Sequence, residues 1–267
     1  FLLMAIAGRE LSDTMETLEI LFFRGIVAFT IMLGVMSSAG WHHARTRQPA
    51  LQVARNLVHL GGQYGWFFGL GALPLADVFA IEFTAPIWSA LLAMLIFSER
   101  LDRGRLVAIV FGFAGVLIIL RPGAGVISPA AFIVLASAFC FASTYMMTKG
   151  LIRTDSSLSV LFYMSAVQLP FSLSLALFFW VAPTWADLPW IIAVGATSLT
   201  AHYCLTHAFR LADAILVLPV DFLRLPLIIV IGAVFYAEPF AATTLIGAAV
   251  IFAGNYYSIF RESRPPR

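Results

Sequence analysis

Four ionisable side chains stand inside apolar stretches of this chain: Arg24, Glu82, Asp221 and Arg224. Each such group costs roughly 2.5–3.5 kcal/mol to insert into a bilayer, so it faces a partner or a polar cavity rather than lipid. A carboxylate in that position can titrate or meet a cationic group. A guanidinium can hold a carboxylate or tune a neighbour. At about 1.5 Å per helical residue, Arg24 and Glu82 each lie about 9 Å below the same surface, so they could pair across helices, unless the two never meet. That pair reads either as a structural salt bridge or as a binding and coupling element. Asp221 and Arg224 are three residues apart, on one helical face. Pro219 and Pro226 flank them and weaken the helix there, and Pro86 does the same beside Glu82; the three prolines are candidate hinges. Asn56, His59 and Gln63 fall on one face of another apolar helix, with Tyr64 beside them. That stripe serves either helix-to-helix hydrogen bonds or a cavity wall. Trp66, Trp88, Tyr64 and Tyr203 lie within spans and could form an aromatic wall for a planar ligand; ordinary packing is the other reading.

The elements that carry these residues are membrane spans. The 267 residues are 61% hydrophobic and 11% charged, with a mean hydropathy of +0.94. A soluble domain is about 45–50% apolar and about 25% charged. A net charge of +2 and the lack of a basic, aromatic-rich patch give no reason to expect a nucleic-acid partner. Cys140 and Cys204 each sit alone in an apolar stretch and read as small buried hydrophobes. No Walker motif, no Gly-x-Ser-x-Gly and no His-Glu-x-x-His occurs, so neither an ATP-driven machine nor a common hydrolase is expected. His59, His202 and His207 lack the acidic or cysteine neighbours of a metal site, and no cofactor is implied.

Apolar runs place spans at roughly 18–40, 51–72, 75–98, 104–121, 127–149, 158–181, 187–210, 212–237 and 241–260, preceded by a first segment ending near Glu10. The second half echoes the first: Glu82 and Asp221, Glu99 and Glu238, Gly115 and Gly254 are each separated by 139 residues. The expected fold is therefore an all-α integral membrane protein of ten helices, in two inverted five-helix repeats over 1–122 and 123–267. Thr17–Phe22 parallels Ser157–Phe162, and this register makes the first helix look N-terminally incomplete. With the N-terminus inside, twelve Lys and Arg, Arg55 among them, fall at inner positions and two at outer ones. By the positive-inside rule that predicts both termini in the cytoplasm of a multi-pass inner (plasma) membrane protein, for a bacterial source.

The motifs Leu18-Glu-Ile-Leu-Phe-Phe-Arg24, Ala72-Leu-Pro-Leu-Ala-Asp77, Thr84-Ala-Pro86, Phe97-Ser-Glu99-Arg100, Gly112-Phe-Ala-Gly115 and Tyr236-Ala-Glu238, with Gly247 and Gly254, resemble the EamA domains of the drug/metabolite transporter superfamily. The resemblance implies a secondary active transporter of a small metabolite (an amino acid or similar), working by alternating access and coupled to protons or to exchange. It implies a cavity lined by spans 3, 4, 8 and 9, peripheral spans 5 and 10, and a possible homodimer. An uptake carrier for a vitamin or nucleotide-like cofactor, such as riboflavin or S-adenosylmethionine, is the alternative. A non-transporting receptor or assembly subunit is the third reading.

Overall fold

The computed structural model describes residues 1–97, 103–120, 128–211, 224–238 and 242–262. All regular structure among the described residues is helical: α1 (Leu2–Leu11), α2 (Thr17–Ala39), a 3-10 turn (Trp41–Ala44), α3 (Pro49–Ala72), α4 (Leu75–Glu82), α5 (Ala85–Phe97), α6 (Arg103–Leu120), α7 (Pro129–Leu151), α8 (Ser157–Ala176), α9 (Leu188–Leu211), α10 (Arg224–Phe235) and α11 (Ala242–Glu262). Asp221 and Pro219 lie outside the described residues. Among the described residues four helices, α2, α7, α8 and α9, are long and apolar enough to cross a bilayer on their own.

Two expected spans are corrected. The helix expected over 75–98 is broken into α4 and α5 by a turn at Phe83–Thr84. Pro86 is the physical reason: it has no N–H to give the carbonyl of Glu82, the residue four before it. Thr84 accepts the N–H groups of Ile87 at 2.9 Å and Trp88 at 3.2 Å, which starts the second helix afresh. The helix expected over 158–181 stops at Ala176. Glu19 captures the backbone N–H of Val181, so the segment leaves the helical ladder and returns towards α2. Cys204 is exposed rather than buried.

The chain divides into two compact units, 1–71 with 144–211 and 72–143 with 212–267. Each takes helices from both halves of the sequence. In the first unit α2 packs against α8 and α9, and α1 against α9. Two glycines allow close approach. A Cβ on Gly195 would lie 2.4 Å from Val27 Cβ and 3.1 Å from the Arg24 carbonyl; one on Gly25 would meet Leu169 at 3.2 Å. The unit is tied at both ends by a buried or nearly buried aspartate. Asp155 accepts from Thr46 Oγ1, from the Arg47 N–H at 3.0 Å and from Gln52 Nε2 at 3.0 Å, joining the α7–α8 connection to the α2–α3 connection. Asp187 accepts from Thr184 N and Oγ1, both at 2.7 Å, and from Thr14 Oγ1 at 2.8 Å, joining α8–α9 to α1–α2.

In the second unit α6 and α11 cross backbone to backbone. A Cβ on Gly115 would come within 2.5 Å of the Gly247 carbonyl, and one on Gly247 within 2.6 Å of the Gly115 carbonyl. The start of α4 is pinned by Glu238, which accepts the Leu75 N–H at 2.9 Å, and by Thr244, which donates to Asp77 at 2.6 Å.

Candidate functional site

The polar stripe of α3 is buried in the first unit. Gln52, Asn56, His59 and Gln63 are at most 3% exposed, and so is Arg55. Arg55, expected towards the inner end of the span over 51–72, lies inside α3, donating through Nη1 to Asn56 Oδ1 at 2.6 Å and through Nε to Thr148 Oγ1 at 3.2 Å. α3 begins at Pro49, so Arg55 is more than a turn and a half within the helix.

Arg24 enters this cluster from α2. Gly25 and Gly195 bring α8 and α9 close enough that Gln168 and Ser198 reach the guanidinium. Arg24 Nη1 donates to Ser198 Oγ at 2.7 Å. Its Nη2 donates to Gln63 Oε1 at 2.7 Å and to Gln168 Oε1 at 2.8 Å. Its partners are thus three neutral side chains.

A guanidinium only donates, so both glutamine amides have a fixed orientation, with their oxygens towards Arg24. Gln168 Nε2 then donates to the Asn56 carbonyl at 3.1 Å and to His59 Nδ1 at 2.9 Å. At the far end His202 Nδ1 stands 2.8 Å from the Ser198 carbonyl, which only accepts. His202 therefore carries its proton on Nδ1. His59 carries its proton on Nε2 and gives it to His202 Nε2 at 3.1 Å. The polar chain runs in one direction, from Arg24 through Gln168, His59 and His202 to the backbone of α9, with both imidazoles neutral.

Gln168 and Ser198 were not recognised in the sequence. Each is a single polar residue in an apolar helix. α3 and α9 are both 24 residues long. His59 and Ser198 occupy the same position in them, and so do Gln63 and His202. That equivalence was the available signal.

In the second unit Glu82 ends α4 and meets Arg224 of α10, with Nη2 to Oε1 at 3.4 Å. The guanidinium carbon lies 5.3 Å and 5.6 Å from the ring centroids of Phe79 and Phe83. Arg224 therefore reaches across to Glu82. Pro226 lies within α10. Tyr64 stacks on Phe68 and Tyr203 on His207, each one turn along its own helix, and both tyrosines are exposed. Trp66 is buried edge-on to Phe67. Trp88 is edge-on to Phe113 and Phe139, and its Nε1 donates to Thr84 Oγ1 at 3.2 Å.

A multi-pass helical fold with buried polar side chains among apolar helices is the architecture of a membrane carrier. Comparison with known proteins gives the family. The model of the EamA-like transporter family matches the chain twice, over residues 2–121 and 128–260, and the chain belongs to that family. It is 26% identical over 260 residues to an S-adenosylmethionine uptake transporter of Rickettsia prowazekii, covering 97% of this chain and 88% of the relative. It is 31% identical over 241 residues to a riboflavin transporter of Rhizobium johnstonii, covering 90% and 80%. A protein crystal structure with a TM-score of 0.69 and 15% identity, covering 98% of this chain and 96% of that one, shares the fold. The chain is a multi-pass membrane protein of the drug/metabolite transporter superfamily.

Proposed function

We propose that this protein is an uptake carrier for a small, water-soluble, heteroaromatic metabolite of the S-adenosylmethionine or riboflavin kind, working by alternating access. The relatives favour this reading over the amino-acid carrier that the motifs first implied. The observation that carries it is the buried polar chain of the first unit. It supplies hydrogen-bonding groups to a polar cargo where the bilayer supplies none. Arg24, His59 and Gln63 are its cargo-facing members in this reading. The Glu82–Arg224 pair holds α4 to α10, and the Phe83–Thr84 break beside Pro86 supplies the freedom to move. The double family match and the equivalent positions in α3 and α9 support an origin in two repeats, and an odd number of spans per repeat would make them inverted.

The test is flux of labelled S-adenosylmethionine and riboflavin into proteoliposomes holding the full chain, with and without an inward proton gradient. Saturable entry of either, blocked by excess unlabelled compound, is the expected result. Entry no faster than into empty liposomes for both would overturn the reading.

A further inference from the structure

The polar cluster of the first unit has more donors than acceptors. Arg24 Nε, Gln63 Nε2 and Asn56 Nδ2 are buried N–H groups with no hydrogen-bond partner. The guanidinium bonds fix the two amide atoms as nitrogens, because Gln63 Oε1 faces Arg24 and Asn56 Oδ1 faces Arg55. The cluster also holds two buried cations, Arg24 at 2% and Arg55 at 3% exposure. Among the described residues neither has a carboxylate within salt-bridge distance. They are joined through Asn56, whose side chain receives Arg55 and whose carbonyl receives Gln168, the partner of Arg24. Burying an N–H without a partner costs about 1–3 kcal/mol, and a buried charge without a counter-charge costs more. The orphan acceptor Gln52 Oε1 does not redress this balance, because Gln52 is committed to the Asp155 clamp.

Resting on the carrier reading, we propose that Arg24, Gln63 and Asn56 form the subsite for a carboxylate on the transported metabolite. A carboxylate brings what the cluster lacks: one negative charge, two coplanar oxygens and no donor of its own. Its plane matches the guanidinium fork, and charge-assisted bonds of this kind are about twice as strong as those to the neutral amides that hold Arg24 here. The carboxylate displaces Gln63 Oε1 or Gln168 Oε1 from Nη2 and engages Nε as well. In the state described the cluster is occluded, so the carboxylate enters as the helices part. Of the two cargo types, S-adenosylmethionine carries a carboxylate and riboflavin does not, so the subsite assigns the former.

Gln63→Glu is the decisive variant. The amide nitrogen it removes has no partner, so no protein hydrogen bond is lost, and the new carboxylate sits against Arg24 as an internal ligand. The purified full chain in nanodiscs is titrated with S-adenosylmethionine and its decarboxylated analogue, and with methionine and methioninol. The parent protein should bind the carboxylate member of a pair at least tenfold more tightly. Gln63→Glu should unfold at the same or a higher temperature and lose that discrimination, and Arg24→Gln should lose it as well. Equal binding within both pairs, discrimination that survives Gln63→Glu, or tighter binding of adenosine monophosphate than of any carboxylate would overturn the proposal. Flux separates the two readings. Riboflavin entry without carboxylate discrimination leaves the carrier standing and removes the subsite. Discrimination without flux of any compound does the reverse.

Discussion

Two arginines, the buried Arg24 of the first unit and the partly buried Arg224 of the second, stand in opposite circumstances. Arg224 faces a carboxylate, Glu82, and lies over two phenylalanine rings, so its charge is neutralised within the protein. Arg24 faces two amides and a hydroxyl, which satisfy its geometry but not its charge. A pair like the first holds helices together. A cation like the second is held ready by weak partners that a stronger one can displace. In the proposed carrier the same residue type serves as structure in one unit and as recognition in the other. The proposed distinction rests on the partners.

The largest effect that can break this comparison is on transport. Arg24→Gln should lower flux at least 100-fold, while the double variant Glu82→Gln/Arg224→Gln should keep flux within about threefold of the parent, since it removes both halves of a neutral pair. Side-by-side proteoliposome assays decide this. If the folded double variant lost flux as completely as Arg24→Gln, Glu82 would be a coupling group and the contrast would fail. A smaller effect, on stability, sharpens the same point. Glu82→Gln alone removes the carboxylate 3.4 Å from Arg224 and should cost about 3 kcal/mol, seen as a lower unfolding temperature. Adding Arg224→Gln should recover most of that loss. Additive losses would mean that the two side chains are not energetically coupled.

Much of this contrast was legible in the sequence, though not its pairing. The three-four spacing of Asn56, His59 and Gln63 gave their common face, and α2 and α3 begin and end within two residues of the apolar runs. Arg24 and Glu82 were visible as costly charges. Their partners were not, because depth along a helix says nothing of its rotation or neighbours. Those are set by Gly25 and Gly195, whose missing side chains let α8 and α9 close on Arg24. Gln168 and Ser198 escaped notice because a lone polar residue in an apolar run has no periodicity. The inward turn of Arg55 was not visible, because the positive-inside rule sorts charges by proximity to a helix end and says nothing of where a long side chain near that end points. The Phe83–Thr84 break was half visible in Pro86. Its location depends on Thr84 taking up the N–H groups that begin α5, a tertiary choice the proline alone does not dictate.

The smallest expected effect concerns what holds the Arg24 cluster in register. Asp155 is 2% exposed. Burial pushes its carboxyl up, but donors from Thr46, the Arg47 backbone, Gln52 and Thr154 together outweigh this and hold it below the ordinary aspartate range. Since Gln52 lies on the α3 face that carries Asn56, His59 and Gln63, the clamp fixes the rotation of that face. A carboxylate whose folded pKa is depressed contributes stability that is complete above its unfolded value, about 3.9, and is lost as pH falls through the folded value. Asp155→Asn should therefore cost about 1–2 kcal/mol at neutral pH and flatten the fall in stability between about pH 5 and the acid limit. Its signature in the comparison is selective. Carboxylate discrimination by the Arg24 cluster should weaken a few-fold as α3 loses its stop, while the Glu82–Arg224 coupling, measured by the same double-variant cycle, should stay unchanged. A loss of both together would show that Asp155 supports the whole fold rather than the register of one helix face.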